Sequence, residues 1–107
     1  LVLRPADGLE TTIAWKLALE NHHTPTGLIF SRQNVNDIPG NNYEKALQVG
    51  KGAYIIQDVE GTPDVILVGN GSEVGTLVAG AEKLSAEKGL KIRIVSAPSE
   101  GLFRKQS

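Results

Sequence analysis

The sequence contains no cysteine and no methionine. The first absence removes disulfides, thiolate nucleophiles and Cys-ligated zinc sites together. It is compatible with a cytoplasmic protein. The second absence extends to position 1, and the chain starts directly in the apolar run Leu1-Val2-Leu3. Natural termini are usually loose and exposed, so a piece of a longer protein is expected. An excess of charge is also lacking. Eleven basic residues against twelve acidic ones give a formal net charge of -1, and the densest basic group, Arg104-Lys105, is too short to count as a patch. Nucleic acid and an anionic membrane therefore have no electrostatic claim on the chain. No apolar run approaches the roughly 20 residues that a membrane helix needs. The first residues have neither the basic leader nor the long apolar stretch of a signal peptide.

What is present fits a globular protein: 107 residues, 40 % hydrophobic and 21 % charged. The pattern alternates strand and helix. Leu1 to Leu3 reads as the end of a buried strand. Asp7 is a good helix N-cap, with Glu10 three residues on in a variant of the capping box. Ile13, Ala14, Leu17 and Ala18 recur at helical spacing, and Pro25 closes the segment because it disfavours helix at Thr24. Gly27-Leu28-Ile29-Phe30 is a short apolar run, expected to be a strand buried on both faces. From Val35 to Gly52 the residues Asn, Asp, Gly and Pro cluster as in a linker, with one helical turn expected around Tyr43 to Leu47. Ala53 to Ile56 is expected to be an edge strand and Val65 to Val68 a buried one. A helix follows from Ser72 or Glu73 to about Lys88, with Gly89 as its stop. Leu90 to Val95 is the next strand, and Pro98 and Ser99 open a last helix that breaks off at Ser107.

The fold class predicted is α/β: parts of two doubly wound, mostly parallel-sheet domains. Residues 1–38 form an incomplete first domain, 39–52 a linker, and 53–107 the opening of a second, Rossmann-like domain. A piece below ~40 residues rarely buries enough surface to fold alone, so the first part needs partners.

Chemistry has few places to sit. Ser31-Arg32-Gln33-Asn34 directly follows the strand at Gly27, and in open parallel sheets ligands bind beyond the carboxyl ends of strands. A guanidinium there can grip two oxygens of a phosphate; the plainer alternative pairs Arg32 with a carboxylate at a domain seam. Ser31 and Gln33 are expected to fix the turn. Gly69-Asn70-Gly71-Ser72-Glu73-Val74-Gly75 could present N–H groups to a phosphate. It departs from the dinucleotide fingerprint at Val74, which favours a tight turn with Ser72 as the helix cap. His22 and His23 are adjacent, so they point apart on a helix and make a poor metal pair. Asp7 and Glu10 read as capping residues, and Trp15 as packing.

Taken in order, Arg4-Pro5-Ala6-Asp7, Glu10-Thr11, Ala14-Trp15-Lys16 and Ser31-Arg32-Gln33-Asn34 resemble the transketolase family. Gly52-Ala53-Tyr54, Pro63-Asp64-Val65-Ile66-Leu67, Gly71-Ser72-Glu73-Val74, Arg93 to Ser99, and Phe103 with Lys105-Gln106-Ser107 continue the resemblance over essentially the whole chain. Gly69-Asn70 departs from the more usual Ala-Thr. The resemblance places residues 1–38 at the end of a pyrimidine-binding domain and 53–107 at the start of the C-terminal domain. It implies a homodimeric, cytoplasmic transferase of the pentose phosphate pathway. Such an enzyme uses thiamine diphosphate and Mg2+ (or Ca2+) to move a two-carbon ketol unit between sugar phosphates. It implies that Arg32 contacts the substrate phosphate. It also implies that catalytic, cofactor-binding and metal-binding residues all lie outside this stretch, so that the stretch alone is inactive. Dihydroxyacetone synthase, of the same family, is an alternative; a non-catalytic α/β ligand-binding or dimerisation module is another.

Overall fold

The computed structural model describes residues 1–106. Strand β1 (Val2–Leu3) leads into helix α1 (Gly8–Glu20), and β2 (Gly27–Leu28) returns beside β1. The two strands are parallel, with Val2 opposite Gly27 and Leu3 opposite Leu28. Asp7 caps α1 as its sequence position predicts: Oδ1 accepts the Glu10 N–H at 2.9 Å. The linker holds α2 (Tyr43–Ala46) and a 3-10 turn (Leu47–Lys51), capped by Asn42 Oδ1, which accepts the Lys45 N–H.

The remaining residues form a three-stranded sheet in the order β3 (Tyr54–Gln57), β5 (Ile92–Ser96), β4 (Val65–Gly69). β3 is an edge strand, antiparallel to β5, while β4 and β5 run parallel from Val65–Ile92 to Gly69–Ser96. The crossover between those two is α3 (Glu73–Lys88). It buries Val74, Val78 and Ala81 against the sheet and ends at Gly89, whose φ of +65° makes the left-handed stop. Ser99 caps the short α4 (Glu100–Arg104). The expected end of this helix at Ser107 lies outside the described residues. The architecture is α/β with parallel strand pairs joined by crossover helices. No helix of the described residues is long and apolar enough to cross a membrane.

Three expectations are corrected. The run Gly27 to Phe30 is not a strand buried on both faces. Only Gly27 and Leu28 pair regularly, Ile29 adds one N–H to the Leu3 carbonyl at 2.9 Å, and Ile29 and Phe30 are exposed. β1 covers one edge, and no strand of the described residues pairs with the other. Val65 to Val68 is buried on one face only. Leu67 packs inward, but Ile66 and Val68 remain 53 % and 61 % exposed, because α3 packs on the opposite face of the sheet. Ser72 stands at the head of α3 but makes no side-chain cap bond; the carbonyls of Asn70 and Gly71 accept the first free N–H groups instead.

One aliphatic core runs through both halves, from Leu3, Ile13 and Ala14 to Ile56, Val74 and Ile94. The accessible surface is 6901 Å2. A compact chain of 11.4 kDa exposes roughly 5,800 Å2. Part of the exposed surface is apolar: on the outer side of the three-stranded sheet, Ile55, Ile66, Val68 and Phe103 border an open depression of 460 Å3.

Candidate functional site

The loop beyond β2 is the region that chemistry can use. It leaves the sheet at Ile29, turns at Ser31, whose Oγ accepts the Gln33 N–H at 3.0 Å, and re-enters the core at Ile38. Ser31 thus fixes the turn, as its sequence position predicts. Arg32 projects from that turn, exposed, beyond the carboxyl end of β2. The ion pairs among the described residues are Lys16–Glu20, Arg93–Asp58 and Arg104–Glu100. Arg32 belongs to none of them. On one side of the turn lies a hollow of 220 Å3 walled by Pro5, Trp15, Phe30 and Val35. On the other lies a cleft of 520 Å3 between Gln33, Asn34 and Asn36 and the α3 residues Gly75, Thr76 and Glu82. Trp15 is a half-exposed wall of the first hollow, with its ring centroid 6.2 Å from that of Phe30. It is therefore less deeply packed than its place beside the apolar stripe of α1 predicts.

The loop is tied down at its far end by Asp7. The Oδ2 atom accepts the Ile38 N–H and the Asn41 amide, both at 3.1 Å. With Oδ1 capping α1, one buried carboxylate closes three donors.

Glu10 does more than its capping position predicts. Its Oε1 accepts the Ala6 N–H at 3.0 Å, while Oε2 accepts the Tyr54 hydroxyl at 2.6 Å and the Ser96 hydroxyl at 2.7 Å. The side chain is fully buried. Burial pushes its carboxyl above the usual range, against the pull of the Tyr54, Ser96 and Ala6 donors. Burial, reinforced by the Glu10 charge, raises the Tyr54 phenol as well. The knot joins α1 to β3 and β5. Helical spacing could have revealed it: position 10 lies on the same face as Ile13, Ala14 and Leu17, so a glutamate there must enter the core.

The glycine turn after β4 is closed by its own backbone hydrogen bonds. Gly71 donates its N–H to the Arg4 carbonyl at 3.1 Å, Glu73 and Val74 donate theirs within the turn, and Asn70 Oδ1 accepts from the Arg4 guanidinium at 2.6 Å. A Cβ on Gly71 would come within 3.2 Å of that guanidinium. Arg4, missed from sequence, thus lies directly against the turn. His22 and His23 lie exposed after α1. No group of three His, Cys, Asp or Glu side chains among the described residues could hold a metal ion. Together with the closed turn, this means that the present residues do not fit a metal-bound diphosphate.

Comparison with known proteins follows the same lines. Residues 52–107 match the family model for a transketolase-like C-terminal domain. Transketolase 2 of Vibrio parahaemolyticus is 50 % identical over 103 residues, which is 96 % of this chain and 15 % of that protein. The transketolase of Leishmania mexicana superposes with a TM-score of 0.87 at 42 % identity, covering 99 % of this chain and 15 % of its own. A Pichia stipitis transketolase in complex with sedoheptulose-7-phosphate matches with a TM-score of 0.83, also at 42 % identity and the same coverage. The chain therefore spans about 15 % of the length of the relatives it matches.

Proposed function

This chain belongs to the transketolase family, and on that footing we propose that its parent moves a two-carbon ketol unit from a ketose phosphate to an aldose phosphate. In this reading Arg32 docks the phosphate end of the sugar. The observation that carries it is positional: an exposed guanidinium without a carboxylate partner among the described residues, on a turn beyond the carboxyl end of a parallel strand. A planar fork of donors suits two phosphate oxygens at once. The sugar phosphate bound by the Pichia stipitis relative supports the substrate class.

Thiamine diphosphate and Mg2+ (or Ca2+) belong to this proposal through the family, and when bound they supply the carbanion chemistry. Other parts of the parent must hold them, since the residues here do not fit the pair. We assign residues 1–38 to the end of the pyrimidine-binding domain, 39–52 to a linker, and 53–107 to the start of the C-terminal domain. The family match beginning at Gly52 supports the last boundary. A cytoplasmic homodimer working in the pentose phosphate pathway completes the reading. The 107 residues alone are expected to be inactive.

The test is Arg32→Ala in the full-length, cofactor-loaded protein. A hydrogen-bonded charge contact is worth ~1.5–3 kcal/mol, so kcat/KM for phosphorylated sugars should fall roughly ten- to hundredfold. Unphosphorylated acceptors should lose far less. Equal losses for both would remove the phosphate role.

A further inference from the structure

We propose that Asp7 is a positioning residue for the Arg32 turn, holding the far end of its loop so that the guanidinium meets the sugar phosphate. The inference rests on the phosphate reading of Arg32. The stretch from Ile29 to Ile38 has one backbone tether at its start, Ile29 N–H to Leu3 O at 2.9 Å. At its end the polar tether is Asp7 Oδ2, which accepts from Ile38 N–H and Asn41 Nδ2. Arg32 lies between the two tethers, so slack at either end moves it.

The carboxylate suits this task because it is itself immobile. Asp7 is 2 % exposed, and its Oδ1 is committed to the Glu10 N–H. The residue before it, Ala6, donates its N–H to Glu10 Oε1, so the chain on both sides of Asp7 is pinned to the buried knot. Gly8 leaves room for the loop to lie close: a Cβ there would stand 3.3 Å from Asp37 Oδ1. Every donor to the Asp7 side chain is an N–H, and a carboxylate offers only acceptors. An asparagine could keep the helix cap through its oxygen, but its amide nitrogen would then face the two loop donors. Asp7→Asn therefore separates capping from loop anchoring.

The experiment uses the full-length, cofactor-loaded protein with ribose 5-phosphate and ribose, two acceptors that differ only in the phosphate. Asp7→Asn is expected to raise KM for ribose 5-phosphate about three- to tenfold. Its kcat, and its kcat/KM for ribose, should stay within about twofold. Asn41→Ala leaves the cap intact and should shift KM in the same direction by about two- to fourfold; it decides the matter if Asp7→Asn does not fold. In the double variant Asp7→Asn with Arg32→Ala, the loss should equal that of Arg32→Ala alone, because a tether has no effect once its load is gone. Losses that multiply in the double variant, or that fall equally on ribose, would overturn the positioning role while Arg32→Ala keeps its own selective effect. If Arg32→Ala spares ribose 5-phosphate, the phosphate reading fails first and this inference with it.

Discussion

Replacing Glu10 tests the central polar knot directly, because two substitutions at one position separate its hydrogen bonds from its charge. In Glu10→Ala the hydroxyls of Tyr54 and Ser96 and the Ala6 N–H all lose their acceptor in a fully buried place. Each unsatisfied buried group costs ~1–3 kcal/mol, and the void adds its own penalty. The hydroxyls can turn toward each other or toward an entering water, so the expected loss is about 2–5 kcal/mol rather than the full sum. Glu10→Gln keeps an acceptor for Ala6, and its amide nitrogen can donate to the two hydroxyl oxygens, which rotate to receive it. Its loss near neutral pH should stay below about 1 kcal/mol.

The charge then shows in the pH dependence. Burial raises the Glu10 carboxyl above its ordinary value of 4.5 in the folded chain. The folded state therefore holds the proton more tightly than the unfolded state. The stability this contributes is fully present below 4.5 and is lost as pH rises through the raised value. Glu10→Gln carries no such group, so native stability minus variant stability should decline as pH rises above 4.5. Urea unfolding at steps from acid to neutral pH measures that difference by linear extrapolation. Tyr54→Phe removes the strongest opposing donor and should move the decline to higher pH. A difference that grows with pH would mean that the hydrogen bonds outweigh burial, and the account of the knot would be wrong.

Two further predictions concern close approach and bare surface. Gly52 has φ of +88°, and a Cβ there would stand 2.1 Å from the Phe103 nitrogen and 2.4 Å from the Ser99 carbonyl oxygen; Gly52→Ala should cost about 3 kcal/mol or more. Gly40, at φ +81° with open space around it, should lose only about 1 kcal/mol on the same change, and urea midpoints compare the two. The outer sheet face with Ile66 and Val68 should make the 107-residue chain self-associate as its concentration rises. Val68→Lys should weaken that association by roughly tenfold or more, and sedimentation that ignores the substitution would place the contact elsewhere.

The elements were legible wherever a local rule operates alone. The Asp7 cap, the helical stripe from Ile13 to Ala18, the stop at Gly89 and the alternation of Ile92 and Ile94 depend on near neighbours, and each appears where the residues place it. The failures share a different cause. An apolar run such as Gly27 to Phe30, or Val65 to Val68, tells that a strand can be covered on both faces, not that this stretch supplies the covers. Glu10 and Arg4 were missed because their partners are distant. Glu10 meets residues 44 and 86 positions away, and Arg4 meets one 66 positions away. Ser72 failed as a cap for a local reason, since the turn's own carbonyls already serve the free N–H groups of α3. The Ser31 turn was legible because its hydroxyl serves a backbone N–H only two residues away.

The buried acids explain why the Arg32 loop and the second sheet belong together. Arg32 itself touches little, yet its loop is anchored by Asp7, and Asp7 opens a helix whose first turn is locked by Glu10 to Tyr54 and Ser96. Arg4, one step before that helix, donates its backbone N–H to Pro98 and its guanidinium to Asn70. The links through Asp7 and Glu10 are buried hydrogen bonds, so the arrangement acts by rigidity. If Arg32 holds the sugar phosphate as proposed, the second sheet sets the accuracy with which it is held. It follows that loosening the knot should harm phosphorylated substrates before unphosphorylated ones. Tyr54→Phe, which removes one hydroxyl and no volume beyond it, should raise KM for ribose 5-phosphate more than for ribose in the full-length enzyme. Identical effects on the two acceptors would confine the second sheet's role to stability.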